Sequence, residues 1–207
     1  PRPFYHRRTM IPRLPAKADV VIIGAGTAGS ATAYHVARRG LSVVCIDRKS
    51  LDHAGARWVN GVPRWSFEQA QIPAPETPEL LGENVPFHMF AGWSQQKITI
   101  HDHGILEVDM RRLVERLQTM ASQRGAVFVE NTRFGLGGVS LLPSPRVNAD
   151  DICAAAQEVR HLKDRKGAEA FFASYQVPFG EVAAFTGVAG GFSVVNVRAD
   201  EHHVSIL

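Results

Sequence analysis

Three glycines at a fixed spacing are the residues of this sequence with the clearest chemical meaning. Gly24, Gly26 and Gly29 follow the pattern G-x-G-x-x-G. In such a turn the first glycine permits a tight bend, the second lets a pyrophosphate approach the backbone, and the third lets a helix and a strand pack closely. The candidate cofactor-binding residues of this turn are Gly24, Ala25, Gly26, Thr27, Ala28 and Gly29.

The elements around the glycine turn support a dinucleotide site. The apolar run 19–23 predicts a strand buried on both faces, and residues 30–39 predict a helix. A second buried strand, 41–47, ends on Asp47, 18 residues after Gly29. This is a βαβ unit in which the helix N-terminus faces the phosphates and the carboxylate accepts hydrogen bonds from a ribose.

The identity of the dinucleotide is narrowed by charge. A carboxylate at Asp47 would repel the 2′-phosphate of NADP, so this motif favours FAD or NAD. None of the three tyrosines is followed four residues later by lysine, which removes the short-chain dehydrogenase class. FAD and NAD both remain open on the residues alone.

The rest of the chain predicts further elements of an α/β protein. Residues 49–86 predict long irregular structure with one short helix, because they are rich in proline and aromatic residues. Asp109 is the predicted N-cap of an amphipathic helix, Met110 to Gln123. The other predicted strands cover residues 86–89, 96–101, 126–130, 181–186, 192–198 and 202–207, and a further helix covers 167–175.

Together these elements predict the fold class and its division. We expect a Rossmann-type dinucleotide-binding domain with a parallel sheet core, joined to part of an antiparallel sheet. The predicted boundaries are a basic leader over 1–18, the dinucleotide-binding domain over 19–142 and the antiparallel sheet over 143–207.

Composition limits the classes of partner. The 207 residues are 45% hydrophobic and 21% charged, which is typical of a globular protein and excludes disordered and coiled-coil classes. A formal net charge of +3 gives no argument for nucleic acid. No apolar run has the roughly 18 residues that a membrane helix needs. Cys45 and Cys153 are predicted core side chains, and we expect a reducing, cytoplasmic location.

Two long stretches resemble one flavoprotein superfamily. Residues 18–50, ADVVIIGAGTAGSATAYHVARRGLSVVCIDRKS, resemble the FAD-binding start of the superfamily that contains para-hydroxybenzoate hydroxylase, geranylgeranyl reductases and flavin-dependent halogenases. Residues 103–131 resemble that family's later helix and strand, and the segment Gly55 to Pro63 is similar to its reductase and halogenase branch. The resemblance implies FAD as cofactor and an apolar or aromatic small molecule as substrate of a reductase or monooxygenase. It also implies that residues 19–142 are an incomplete Rossmann-type FAD-binding domain and that residues 143–207 are the start of an antiparallel substrate-binding sheet.

The resemblance also implies further cofactor-binding residues. Asp47 and Arg48 are cofactor-binding candidates at the acidic end of the second strand. Ala56, Arg57 and Trp58 are candidates in the segment that the resemblance places beside the flavin. For Trp58, stacking on the flavin and filling the core both remain open. An arginine common in the family falls at Met110, and Arg111 or Arg112 is its expected substitute. No catalytic residue is assigned.

Parts of the family pattern are absent from this sequence. After Phe134 only Gly135 to Gly138 resemble the tail of the family's Asp-x-Ser-Gly segment, and no late Gly-Asp motif follows. The sequence therefore predicts that segments of a longer polypeptide, or a second chain, complete the site. The expected electron donor is NAD(P)H or a reductase. The alternatives are an NAD-dependent dehydrogenase of another class and a non-catalytic flavoprotein-like subunit completed by another chain.

One cluster has metal-ligating side chains. His101 and His103 are predicted on one face of a strand, with Glu107 nearby in sequence. Because no third ligand is specified, polar hairpin residues are the favoured interpretation and no metal is predicted.

Overall fold

The computed structural model describes residue 15, residues 17–133, residues 157–187 and residues 194–207. The chain divides into two compact units, the first formed by residues 1–57 and 109–140 and the second by residues 58–108 and 141–207. This division differs from the sequence-derived boundaries, because residues 58–108 group with the later sheet. The chain leaves the first unit after residue 57 and returns to it at residue 109.

The first unit is built on a parallel sheet. Its strands are β1 (Val20–Ile23), β2 (Val43–Ile46) and β8 (Val127–Val129), in the order β1-β2-β8. Val20 pairs with Val43, and Val44 pairs with Val127. All four residues of β2 are buried, as expected for a central strand of a parallel sheet. The predicted βαβ unit is confirmed. The prediction that its first strand is buried on both faces is wrong, because β1 lies at the edge of this described sheet and Val21 and Ile23 are 48% and 55% exposed.

Two helices cover one face of this sheet. Helix α1 (Thr27–Arg38) packs against helix α3 (Met110–Gln123), and both contribute to a core with β1, β2 and β8. The predicted N-cap Asp109 is confirmed, because its carboxylate accepts hydrogen bonds from the backbone N–H groups of Arg111 and Arg112. The predicted start of α1 at residue 30 is wrong by one turn: Ser30 N already donates to Gly26 O at 2.9 Å.

The second unit contains a six-stranded sheet with the order β6-β5-β10-β11-β12-β9. The strands are β5 (Phe87–Ala91), β6 (Lys97–Ile100), β9 (Glu158–His161), β10 (Val182–Thr186), β11 (Val194–Ala199) and β12 (His203–Ile206). The antiparallel hairpin β11–β12 is confirmed. The sheet is nevertheless mixed, since β5 and β10 pair in parallel. Helix α4 (Arg165–Ser174) packs on one face through Phe172.

A smaller sheet in the second unit was missed by the sequence analysis. It has the order β3-β7-β4, formed by β3 (Val59–Pro63), β4 (Leu80–Glu83) and β7 (Ile105–Asp109). The prediction of irregular structure over 49–86 is therefore wrong in part. That range also holds a 3₁₀ turn, Leu51–His53, and helix α2 (Arg64–Gln69). The two short strands flank β7, which lies later in the chain, so no local pattern reveals their pairing.

A buried histidine on β5 gives a test of the second unit's packing. His88 is only 5% exposed, and its ring nitrogens contact Thr99 Oγ1 at 3.0 Å and Glu181 Oε2 at 2.5 Å. We expect His88→Leu to lower the free energy of unfolding by about 1–3 kcal/mol, because it leaves the Glu181 carboxylate without its partner. Thermal unfolding checks this, with Met89→Leu on the opposite face of β5 as the matched control. Equal stability of the two variants would contradict it.

Candidate functional site

The glycine turn between β1 and α1 favours glycine at two positions, because of the backbone conformation at Gly24 and the lack of space at Gly29. Gly24 has φ +99°, a conformation that favours glycine. A Cβ placed on Gly29 would lie 1.8 Å from Gly24 O and 3.3 Å from Ile22 Cγ2. The backbone of α1 therefore touches the end of β1 directly, in the manner that the glycine spacing predicts.

The middle glycine approaches another glycine that sequence reasoning did not single out as its partner. A Cβ on Gly26 would lie 3.0 Å from Gly55 Cα, and Gly55 itself has φ +76°. The segment after the 3₁₀ turn thus runs against the glycine turn, backbone to backbone. Gly55 belongs to the segment whose resemblance to flavoproteins predicts proximity to the flavin, but its sequence gives no sign of this contact.

The N-terminus of α1 is open to an acceptor. Gly26 is the N-cap and offers no side-chain hydrogen bond, and the first turn contains no acidic residue. The first N–H groups of a helix have no partner within the helix, and they carry the positive end of its dipole. Such an end is suited to phosphate oxygens.

The carboxylate of Asp47 lies next to this turn. Its Oδ2 accepts a hydrogen bond from Ala25 N at 2.7 Å, and its Oδ1 accepts one from Lys49 N at 2.8 Å. Each carboxylate oxygen has a second lone pair. Asp47 thus tethers the glycine turn to the end of β2 and still has acceptor capacity for a hydroxyl group.

A cleft of about 480 Å³ opens at the carboxyl ends of the parallel strands. This edge is where open α/β sheets bind ligands. The lining residues are Ile23, Gly24, Ile46, Asp47, Arg48, Thr132 and Arg133. The structure therefore brings Gly24, Asp47 and Arg48 together. It adds Thr132 and Arg133, which follow β8 and which sequence reasoning missed because nothing local marks them.

Gln118 on α3 also supports the turn and was missed. Its Nε2 donates to Ala25 O at 3.0 Å and to Leu51 O at 3.3 Å. One amide group therefore holds the glycine turn and the 3₁₀ turn together. A polar residue in the middle of an amphipathic helix carries no sequence signal for this function.

The remaining predicted residues lie in varied settings. Arg57 is exposed and Ala56 half-buried in the segment after Gly55. Trp58 is 51% exposed, which contradicts the core-filling interpretation. Arg112 forms an ion pair with Asp109, with Nε 3.4 Å from Oδ2, at the start of α3.

Cys45 is a fully buried side chain of β2, which confirms its prediction as a core residue. Burial, and after it the charge of Asp47, raises the pKa of its thiol to about 11. At neutral pH the group is a protonated thiol, so it has no nucleophilic function here. Cys153 lies outside the described residues.

The histidine cluster is not arranged as predicted. Strand β6 ends at Ile100, and Asp102 has φ +48°, so His101 and His103 lie in a turn and not on one strand face. His103 Nε2 contacts Val85 O at 3.0 Å. Within the part of the chain that the structure describes, no group of three His, Cys, Asp or Glu side chains is placed to hold a metal ion.

The second unit contains a larger cavity of about 840 Å³ between its two sheets. Strands β3, β4 and β7 form one wall, and the six-stranded sheet forms the other. The side chains on the walls are a mixture of aliphatic, aromatic and polar groups, including Leu81, Phe87, Ile105, Glu107 and Arg198. Its size is in the range of small-molecule sites.

Known proteins share the segment that contains the glycine turn. Residues 19–62 match the family model described as FAD dependent oxidoreductase. The digeranylgeranylglycerophospholipid reductase of Sulfolobus acidocaldarius is 30% identical over 110 residues, covering 53% of this chain and 24% of that protein. These matches support an FAD-dependent oxidoreductase segment over residues 19–62.

Solved structures show the same fold. PqsL of Pseudomonas aeruginosa in complex with 2-aminobenzoylacetate has a TM-score of 0.60 at 12% identity, covering 91% of this chain and 59% of that one. Halogenase PltM in complex with phloroglucinol and FAD has a TM-score of 0.59 at 17% identity, covering 91% and 51%. This chain thus spans about half the length of these FAD-dependent neighbours, and its match spans about a quarter of the Sulfolobus reductase.

The residues present fit FAD, the cofactor of this oxidoreductase family. The uncapped N-terminus of α1, the tight Gly24–Gly29 bend and a carboxylate with free acceptor capacity lie within the matched segment. The predicted resemblance to flavoprotein reductases is confirmed by the family match and the Sulfolobus relative, and the likeness to PqsL and PltM shows a shared fold. Among the described residues, no helix has the length and apolar character needed to cross a membrane.

Proposed function

We propose that this chain holds FAD at the glycine turn and is the FAD-binding part of an oxidoreductase that acts on an apolar or aromatic small molecule. The observation that carries the proposal is the uncapped N-terminus of α1 beside Asp47, within the segment that matches the FAD-dependent family. The activity of the whole protein is part of the proposal, because this chain spans only part of its relatives.

The chain's own groups have distinct parts in this proposal. The backbone N–H groups of Gly26 to Gly29, at the start of α1, bind the pyrophosphate, and the carboxylate of Asp47 accepts hydrogen bonds from the ribose of the adenosine. Arg48 lines the same cleft and orients the adenosine end. The bound flavin supplies the redox chemistry, accepting or donating the electrons. Gln118 holds the turn in position through Ala25 O.

The segment after Gly55 is proposed to run beside the flavin. Gly55 approaches Gly26 closely, and Ala56 and Arg57 follow Gly55 directly in the sequence. The proposed function of exposed Arg57 is to stabilise negative charge on a reduced cofactor, and that of half-exposed Trp58 is to stack on it. Arg112 is proposed to contact the bound cofactor, which requires it to leave its ion pair with Asp109.

The substrate is proposed from the second unit. Its cavity of about 840 Å³ has aliphatic and aromatic walls, which suit an apolar or aromatic body. The Sulfolobus relative is named as a reductase of a digeranylgeranyl lipid, and PqsL and PltM are crystallised with aromatic molecules. The proposed reaction is that of a reductase or a monooxygenase. Its proposed electron donor is NAD(P)H or a partner reductase, and its proposed location is cytoplasmic.

Removing the carboxylate of Asp47 tests the adenosine end. We expect Asp47→Ala to weaken FAD binding by about 10- to 100-fold, because a hydrogen bond to a charged group contributes about 1.5–3 kcal/mol. The measurement is a fluorescence titration with FAD, with NADH titrated in parallel to test the dehydrogenase alternative. Asp52→Ala, which removes an exposed carboxylate of the same unit, is the matched control.

The outcomes of this titration separate the alternatives. Unchanged FAD affinity in Asp47→Ala would reduce Asp47 to a tether of the glycine turn. Binding of NADH in preference to FAD by the unaltered chain would contradict the proposed cofactor and favour a nicotinamide-dependent enzyme. Thermal unfolding of both variants shows whether the loss of the Ala25 N–H acceptor changes stability as well as affinity.

A further inference from the structure

The large cavity of the second unit is lined by one face of the six-stranded sheet. Side chains of a strand alternate between its two faces. Along β11, Asn196 and Arg198 line the cavity, whereas Val197 and Ala199 pack in the core with α4. The polar and apolar side chains of the cavity therefore have positions fixed by the strand register.

The order of strands divides the cavity wall into an apolar half and a polar half. The sheet order is β6-β5-β10-β11-β12-β9. On the first three strands the lining residues are Ile100, Phe87 and Val182, all apolar. On the last three the lining is mostly polar, with Asn196, Arg198, His203 and Ser205 beside the apolar Val159, and Gln157 lines the cavity just before β9. A molecule filling this cavity would meet hydrocarbon at one end and polar groups at the other.

Two oxygens in the polar half have no donor. Gln157 Oε1 and Asn196 Oδ1 are buried and accept no hydrogen bond, while Gln157 Nε2 donates to Ser205 Oγ at 3.0 Å. Asn196 and Leu207 exchange backbone hydrogen bonds of 2.9 and 3.0 Å. The pairing of Ser205 with Val159 continues that register and places Gln157 on the other side of Leu207. The side chains of Gln157 and Asn196 thus lie on either side of Leu207, the residue that follows β12.

Buried acceptors of this kind are normally satisfied by a donor. Because both orphaned atoms are acceptors, the group that satisfies them is an N–H or O–H donor, which a bound molecule or a water can supply. Two carbonyl oxygens would repel the oxygens of a carboxylate or a phosphate.

The charged groups of the cavity do not favour an anion. The guanidinium of Arg198 is already paired with the Glu107 carboxylate and donates from Nε to Gly180 O at 3.1 Å. Burial raises the pKa of Glu107, an effect that the Arg198 charge opposes. Asp200 adds a second carboxylate to the described lining. One guanidinium against two carboxyl groups leaves no net positive charge for an acidic ligand.

We propose that this cavity binds a neutral amphipathic molecule whose hydroxyl groups donate to Gln157 Oε1 and Asn196 Oδ1 and whose apolar body lies against Phe87, Ile100 and Val182. The inference rests on the proposed function in taking this cavity as the substrate site. It narrows the substrate class from any apolar or aromatic molecule to a neutral one with hydroxyl donors at one end.

Three probes with the same chain length test the proposal. Decane-1,2-diol has two donors, its dimethyl ether has the same oxygens without donors, and decanoate has a negative charge. By isothermal titration calorimetry on the full chain with FAD added, the diol is expected to bind about tenfold or more tightly than the diether. Decanoate is expected to bind more weakly than the diol. Equal affinity for diol and diether, tighter binding of decanoate, or no binding of any probe would overturn the proposal.

Substitutions assign the effect to the two amides. Asn196→Leu and Gln157→Met keep the side-chain size and remove the acceptor, so each is expected to reduce the preference for diol over diether severalfold while diether binding persists. Glu158→Gln, on the opposite face of β9, is the matched control and should keep the preference. Persistence of the full preference in both test variants would overturn the assignment.

The same samples distinguish failure of this inference from failure of the proposed function. Flavin absorbance reports FAD binding independently of the probes. A chain that binds FAD and shows no diol preference contradicts the inference alone. A chain that prefers the diol and binds no FAD contradicts the proposed function alone.

Discussion

Replacing Gly29 with alanine is expected to destabilise the first unit by about 3 kcal/mol or more and to abolish FAD binding. A Cβ at this position would lie 1.8 Å from Gly24 O, so the end of β1 and the start of α1 must separate. The atoms that this Cβ overlaps, Gly24 O and Gly24 C, belong to the backbone, so no side-chain rotation relieves the overlap. The measurements are thermal unfolding and a fluorescence titration with FAD.

Gly26→Ala is the matched control for this substitution. It adds the same methyl group to the same turn, but its nearest contact is Gly55 Cα at 3.0 Å. We expect its loss of stability to be clearly smaller than that of Gly29→Ala. If the two variants were equally stable, the close packing of α1 on β1 would not be the reason for glycine at residue 29.

Gly26→Val is expected to weaken FAD binding by about 100-fold or more, which corresponds to about 2.7 kcal/mol. A branched side chain at the N-cap would cover the open N–H groups of α1 and press on the Gly55 backbone. The chain should still fold, because residue 26 lies at the edge of the core and not within it. Near-ultraviolet circular dichroism checks the fold, and an FAD titration gives the affinity.

A second β-branched substitution on α1 separates cofactor exclusion from a change in the helix. Thr32→Val alters an exposed residue of the next turn. It is expected to keep full FAD affinity. Full FAD occupancy in Gly26→Val, or an equal loss in Thr32→Val, would contradict the assignment of the glycine turn to the pyrophosphate.

The first βαβ unit was predictable because all of its signals lie within thirty residues. The apolar runs of β1 and β2, the three glycines and Asp47 are all local features. The start of α1 was placed one turn late, since glycine has a low helix propensity. In the structure Gly29 lies inside the first turn, where close contact with Gly24 O outweighs that propensity.

The features that the sequence did not reveal depend on residues far apart in the chain. β4 pairs with β7 across more than twenty residues, and β5 pairs in parallel with β10 across more than ninety. Gly55, Gln118 and Thr132 reach the glycine turn or its cleft only through folding. No hydrophobic period or capping residue encodes such contacts. The sequence shows both Gly26 and Gly55, but it does not show that the two glycines are in contact.

The predicted completion of the fold by further segments or another chain stays a prediction. The distance between the Cα atoms of Phe134 and Gly135 would test it, and both residues lie outside the described residues. The proposed roles of Arg48, Arg57 and Arg112 likewise stay predictions.

The visible absorption spectrum of the purified chain, followed by chromatography of the cofactor released on denaturation, tests the central claim most directly. We predict the two absorption bands of oxidised flavin, either as purified or after incubation with FAD and removal of the excess. The released compound should co-elute with FAD. A correctly folded but colourless chain that retains no added FAD would contradict the assignment of Gly24 to Gly29 and Asp47 as an FAD site.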